Sequence, residues 1–272
     1  MSPRRPPRPW IGTPGPIDPD GLAGPRGLTT EVLAGDDEAP PTTRGTRAPP
    51  NGDFITPPRQ PNDSAAFYWS LLTPERQARI QSVVDARLRS VTVVLDRLLD
   101  PHNTAAILRT AEGLGICAAH VVPHENGDAV AHRRVTQDAH KWLDIEQHGS
   151  GAAAAAALKQ TGFAVWAGHL DKGAVHFADL PADRPLALLF GNEHEGPSAA
   201  TLAACDGTFR IPMAGFTQSF NVSVAAGIAL ASVTRRRREF LQEPGDLTEE
   251  ARVELRDRFT LLAAKLARRI GR

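Results

Sequence analysis

The sequence is short of cysteine, of charge of one sign and of long apolar runs. Cys117 and Cys205 are its two cysteines among 272 residues. They lie far apart, each in an apolar stretch, so neither a disulfide framework nor a cysteine-based zinc site is supported, and a reducing cytosol fits best. No apolar run reaches the roughly 18 residues of a membrane span, and the N-terminus is proline-rich and polar where a signal peptide needs an apolar segment. A soluble, cytoplasmic protein without membrane contact is expected. The 31 Lys and Arg balance 31 Asp and Glu, which is not the balance of most nucleic-acid binders. Any basic surface has to be local.

Proline is abundant but unevenly placed. Residues 1–61 hold 15 of the 23 prolines and 8 of the 23 glycines, a composition too poor in apolar residues to build a core. Residues 1–63 are therefore expected to be a disordered extension. Over residues 1–61 seven arginines match seven acids, so it is no basic nucleic-acid tail. The folded protein is expected to start near Ser64, with a main domain over 64–242 and a C-terminal amphipathic helix over 243–272.

From Ser64 onward strand-like and helix-like segments alternate. Thr73-Pro74-Glu75 reads as an N-cap, a first-turn proline and a first-turn acid, opening a helix to about Arg89. Val91 to Leu95 is a β-branched run and Leu186 to Phe190 an apolar one, both suited to buried strands. Further strands are expected at Cys117–Val122, Phe163–Gly168 and Thr208–Ile211. Helices are expected at Thr104–Leu114, with Asn103 as N-cap, and at Ala152–Gln160, Pro197–Ala204, Gln218–Leu241 and Thr248–Ile270. The alternation predicts an α/β fold with a mainly parallel sheet flanked by helices.

Such folds place chemistry in the loops after their strands. No G-x-G-x-x-G follows a strand, and in Gly191-Asn192-Glu193-His194-Glu195-Gly196-Pro197-Ser198 a proline stands where a P-loop needs lysine. Gln218-Ser219-Phe220 lacks the glycines of a nucleophile elbow. His120, His124 and His194 have no further ligands at convincing spacing, so they read as surface histidines and no metal is expected.

Three segments remain. Asp100-Pro101-His102-Asn103 turns into a helix carrying Arg109. Phe190-Gly191-Asn192-Glu193 leaves a strand with a carboxylate held among glycines, which permit close backbone approach to a ligand. Ile211-Pro-Met213-Ala-Gly-Phe-Thr-Gln-Ser219-Phe220-Asn221-Val-Ser-Val-Ala runs into a helix of small residues suited to close packing.

In this order and at these separations the three segments resemble motifs 1, 2 and 3 of the SpoU branch of the SPOUT methyltransferases, over about Leu72 to Arg238. The arginine-bearing helix before the first strand, the Pro101-His102-Asn103 form of motif 1 and the His140-Lys141-Trp142 triplet are similar to the TrmH group, which acts on tRNA. The resemblance implies a C-terminal trefoil knot, a homodimer, S-adenosylmethionine as cofactor and 2′-O-methylation of a D-loop guanosine ribose in tRNA. The same reaction on rRNA is the alternative, and a non-catalytic RNA-binding member is disfavoured because the motif residues are retained. By the same resemblance Arg109, Asn103, Glu193, Ser219 and Asn221 are catalytic-site residues. Gly168, Gly191, Ile211, Met213 and Phe220 match the cofactor positions, Phe220 replacing the family's usual leucine. A ribose hydroxyl is a weak nucleophile, and an arginine there acts either as its base or as an electrostatic stabiliser of the developing alkoxide.

The resemblance also gives the balanced charge a use. Arg76, Arg79, Arg87 and Arg89, the run Arg235 to Arg238, and Lys265, Arg268, Arg269 and Arg272 are expected to assemble a phosphate-binding track for tRNA across a dimer, with His102 and Lys141 nearby. Ala251, Leu255, Phe259, Leu262, Leu266 and Ile270 form the apolar stripe of the last helix, expected to pack on the domain or on a partner.

Overall fold

The computed structural model describes residues 63–124 and 141–270, with side chains given for 64–124 and 141–264. Residues 1–62 of the expected extension, His140, and the side chains of Lys265, Leu266, Arg268, Arg269, Ile270 and Arg272 lie outside these residues, whereas Asp63, expected within the extension, opens α1. In chain order the helices are α1 (Asp63–Ser70), α2 (Pro74–Asp85), α3 (Pro101–Gly113), α4 (Gly151–Gln160), α5 (Ala199–Ala204), α6 (Val222–Leu241) and α7 (Glu249–Ile270). The strands are β1 (Val91–Asp96), β2 (Ala118–Val122), β3 (Asp144–Gln147), β4 (Ala164–Gly168), β5 (Val175–His176), β6 (Leu186–Phe190) and β7 (Gly207–Arg210). Among the described residues no helix is long and apolar enough to cross a membrane.

The seven strands form one sheet in the order β3-β2-β1-β6-β4-β7-β5, and every pair is parallel. β1 and β6 are buried at every residue, which is why β6 is an unbroken apolar run and β1 shows no polar alternation, its buried Thr92 and Asp96 being hydrogen-bonded to the Ala118 carbonyl and the Thr201 hydroxyl. On one face α3 and α6 bury Ile107, Leu108, Ala111, Ala226, Leu230 and Val233 against Val91, Val93, Leu186 and Leu188. On the other, Ala154, Ala155 and Leu158 of α4 cover Val94, Ala187 and Leu189. The small residues of α6 thus pack within the subunit, Gly227 facing the Thr110 methyl of α3. The stripe on α7 closes over α1 and α2, where Phe259 and Ala263 meet Ile80 and Val84. The Trp142 ring meets Phe259 edge-on at 5.1 Å between centroids.

Several expectations need correction. α3 begins at Pro101 with Asp100 as its N-cap, the side chain accepting the His102 N–H at 2.8 Å. Asn103 is therefore not the cap but a buried residue of the first turn. α2 stops at Asp85, and α6 starts at Val222, capped by Asn221. α1, β3 and β5 are additional elements; β3 is largely exposed and exists because the outer edge of β2 offers a ladder. His120 is buried, not superficial.

Two arginines assigned to RNA are also corrected. Arg87 is 1% exposed; it donates to the Ile116 carbonyl and pairs with Glu112 at 2.8 Å while lying over the Phe259 ring. Arg237, 8% exposed, donates to Ser90 Oγ and the Ala182 carbonyl. Both guanidiniums are enclosed and engaged, so neither is presented to a phosphate. Arg238 donates to the carbonyls of Ala86, Leu114 and Pro244. Arg76, Arg79 and Arg235 are exposed, Arg235 paired with Glu239.

Candidate active site

The strand order reverses direction between β1, whose successors run outward to β2 and β3, and β6, which is inserted beside it. In open α/β sheets such a reversal leaves a crevice at the carboxyl ends. Here it brings the loop after β1 against the loop after β6. A cleft of about 340 Å³ opens there, lined from the ends of β4, β6 and β7 and the start of α6.

Glu193 joins the two loops. Its carboxylate accepts the Leu99 N–H at 2.8 Å, the Asp100 N–H at 3.3 Å and Asn103 Nδ2 at 2.8 Å. Asn103 Oδ1 in turn accepts Asn221 Nδ2 at 3.0 Å. Asn221 has its own oxygen on the Ser223 N–H and hydroxyl as the cap of α6, so its amide is held at both ends. One hydrogen-bonded chain, Glu193–Asn103–Asn221, therefore ties all three motif segments together. Partial burial raises the Glu193 carboxyl, but the donors from Leu99, Asn103 and Asp100 outweigh it and hold the group below its ordinary pKa. It is a carboxylate at neutral pH.

The loop after β6 braces itself. Asn192 Oδ1 accepts the His194 and Glu195 N–H groups, and its backbone carbonyl accepts the Gly196 N–H at 2.8 Å. A Cβ on Gly191 would fall 2.2 Å from the Pro197 nitrogen, so only glycine lets the two backbone segments meet. Gly168, Ile211, Met213, Ser219 and Phe220 line the cleft with Gly191, Glu193 and Asn221. Leu170, His169 and Arg210 also line it. Sequence reasoning missed these three, although each directly follows or ends a strand, the position from which a cleft residue is expected.

The remaining assigned residues lie elsewhere. Arg109 is exposed on α3 and is not among the cleft's lining residues; six residues beyond Asn103 it is displaced about 9 Å along the helix and turned to a different face. His102 is exposed beside the Asp100 cap. Lys141 is half-buried near Trp142 and away from the cleft lining. Burial pushes both cysteine thiols up to about 11, so neither is a thiolate nucleophile at neutral pH.

The residues fit a nucleoside-bearing cofactor. Leu170, Ile211, Met213 and Phe220 give the cleft apolar surface for a base, and Gly168 and Gly191 line it at the ends of β4 and β6.

An all-parallel sheet with a glycine-framed cleft at its carboxyl ends and a carboxylate–amide chain across it defines a ligand-binding α/β enzyme domain. Residues 90–231 match the model of the SpoU rRNA Methylase family. The chain belongs to that family. It is 38% identical over 165 residues to a tRNA (guanosine(18)-2′-O)-methyltransferase of Thermus thermophilus, covering 61% of this chain and 84% of the relative. The enzyme of the same name from Escherichia coli is 33% identical over 206 residues, covering 74% of this chain and 89% of that one. The crystal structure of the Aquifex aeolicus TrmH/SpoU tRNA modifying enzyme superposes with a TM-score of 0.62 at 31% identity, over 70% of this chain and 96% of that chain.

Proposed function

We propose that this chain is an S-adenosylmethionine-dependent methyltransferase that modifies the ribose 2′-hydroxyl of guanosine 18 in the D-loop of tRNA, the reaction for which its relatives are named. The observation that carries the proposal is the Glu193–Asn103–Asn221 chain, which holds the three motif segments in one arrangement at the cleft rim. Gly168, Gly191, Ile211, Met213 and Phe220 would hold the cofactor. When bound, it supplies an electrophilic methyl group on a sulfonium. Glu193 works through others: by fixing the Leu99–Asn103 turn it sets where α3 and Asn221 stand. Asn221 and Ser219 present polar groups at the entrance, beside which the ribose sits.

Arg109 completes the site as a cation that stabilises the oxyanion as the hydroxyl proton leaves. A guanidinium that stays charged suits this role better than that of a base. Because Arg109 does not line the cleft of its own subunit, the reading includes a homodimer in which the α3 surface of one copy closes the cleft of the other. Phe216, Phe220 and Val224, exposed around the start of α6, supply apolar surface for that contact. The trefoil knot implied by the family resemblance and a cytoplasmic setting belong to the same proposal. Arg76, Arg79 and Arg235 remain as candidates for the phosphate track.

The test is to incubate the full chain with methyl-labelled S-adenosylmethionine and separate tRNA and rRNA pools, then map the label. Label on the D-loop guanosine ribose of tRNA is expected. Label confined to rRNA would move the substrate, methyl on a base would overturn the mechanism, and no transfer would overturn the enzyme. Arg109→Ala should abolish transfer while leaving cofactor affinity largely intact.

A further inference from the structure

At the opposite side of the sheet three donor side chains converge with no part in the cleft. His120 on β2 and Glu146 on β3 are register partners in the parallel ladder, so their side chains leave the sheet from adjacent strands on the same face. His148, two residues after Glu146, returns to that face because its N–H is held by the Val121 carbonyl at 3.0 Å. His120 Nδ1 lies 3.0 Å from His148 Nε2 and 3.4 Å from Glu146 Oε2, and His148 Nε2 lies 4.0 Å from the same carboxylate oxygen.

Those three distances describe a coordination face. A tetrahedral cation with bonds of about 2.1 Å sets its donors about 3.4 Å apart, and the triangle here brackets that value. A hydrogen bond between the imidazoles uses one nitrogen of each ring and leaves the carboxylate at longer range; one cation would engage all three. The His120 and His148 side chains are 7% and 14% exposed, whereas that of Glu146 is 62% exposed. The two imidazoles are thus enclosed while the carboxylate beside them reaches solvent. Burial lowers both imidazole pKa values from 6.5, against the opposing pull of Glu146, so the rings are neutral and able to ligate at neutral pH.

We propose that His120, Glu146 and His148 bind a divalent late first-row cation, Zn2+ fitting best, which pins the edge strand β3 to β2. Two imidazoles and a carboxylate suit Zn2+ and disfavour Ca2+ or Mg2+, which select oxygen donors. β3 is short and largely exposed, and the cation would join side chains 28 residues apart in sequence. It would restrain the outermost strand of the sheet, next to Trp142 and its packing on α7. The site is separate from the proposed methyl transfer and does not depend on it.

The test uses the full chain stripped of metal with a chelator, titrated with ZnCl2 by calorimetry and with Co2+ by its visible absorption. One equivalent of each is expected, with a rise in the thermal midpoint on adding Zn2+. Glu146→Gln, at the exposed carboxylate, and His148→Gln, both checked for folding by circular dichroism, should each weaken Zn2+ binding at least about tenfold. Absence of saturable binding, or binding of equal strength in the parent and both variants, would show that the three residues only share hydrogen bonds and would overturn the proposal.

Discussion

The two ends of the central strands use polar residues in opposite ways. At the carboxyl ends the loops after β1 and β6 meet through Glu193, Asn103 and Asn221, and a cleft stays open beside them. At the amino ends the polar groups are closed on one another. Arg87 joins the end of α2 to α3 through Glu112, and Arg237 ties α6 to Ser90 just before β1. Asp246 accepts the Arg89 and Ser90 N–H groups, in a loop so close that a Cβ on Gly245 would meet the Arg87 carbonyl at 2.5 Å. A ligand-binding end needs donors and acceptors that still face solvent. A structural end turns its donors and acceptors inward onto one another, although not every one is paired: the buried Arg87 Nε has no hydrogen-bond partner.

This contrast predicts a graded series of outcomes. The largest is Arg87→Ala, which removes a buried guanidinium and leaves Glu112 and the Ile116 carbonyl without it; unfolding in urea should show a loss of about 3–5 kcal/mol. Unchanged stability with weakened RNA binding would erase the distinction between the ends. Gly191→Ala comes next. Its methyl cannot coexist with the Pro197 backbone, so the loop must move, and methyl transfer should fall at least about 100-fold, or about 2.7 kcal/mol. Transfer rates near the parent's would show that the close approach is not needed at the cleft.

Asn103→Ala cuts the carboxylate–amide chain at its middle, and a loss of about 1–3 kcal/mol is expected in denaturant. The chain also has a pH signature. Glu193 has a folded pKa below its ordinary 4.5, so its contribution is complete above 4.5 and disappears as pH falls through the folded value. Stability measured from about pH 6 down to about pH 3 should drop more steeply in the parent than in Glu193→Gln; identical slopes would mean that the carboxylate is not held as described. The smallest effect belongs to Arg235→Ala on the exposed side of α6. Stability should change by less than about 0.5 kcal/mol, while the salt dependence of tRNA affinity should lose about one unit of slope. An unchanged slope would remove Arg235 from the phosphate track.

The run Arg235 to Arg238 shows where sequence reading reaches its limit. Four identical neighbours invite one interpretation, but successive helical residues point about 100° apart. Arg235 meets solvent, Arg237 enters the core, and Arg238 caps carbonyls from three other segments. Arg87 escapes sequence reasoning for the same reason, since its partners Ile116 and Glu112 are 29 and 25 residues away. His120 reads as superficial because nothing near it in sequence announces β3. The glycines, Glu193 and Asn221 are legible because each sits in a loop whose residue types are strange for a mere connection.

By itself the sequence determined the α/β alternation, the two buried strands at Val91–Leu95 and Leu186–Phe190, and the three segments that meet at the cleft, two of them lining it and the first joined to them through Asn103. Apolar or β-branched runs and a glycine-framed acid are local signals, and local physics reads them directly. The tertiary structure alone decided that Asn103 bridges Glu193 to Asn221 instead of capping its helix. It also decided that two arginines serve the core and that two histidines and a glutamate share one face of β2 and β3. Each of those outcomes depends on partners brought together from distant parts of the chain, and the fate of a long polar side chain is set by what surrounds it.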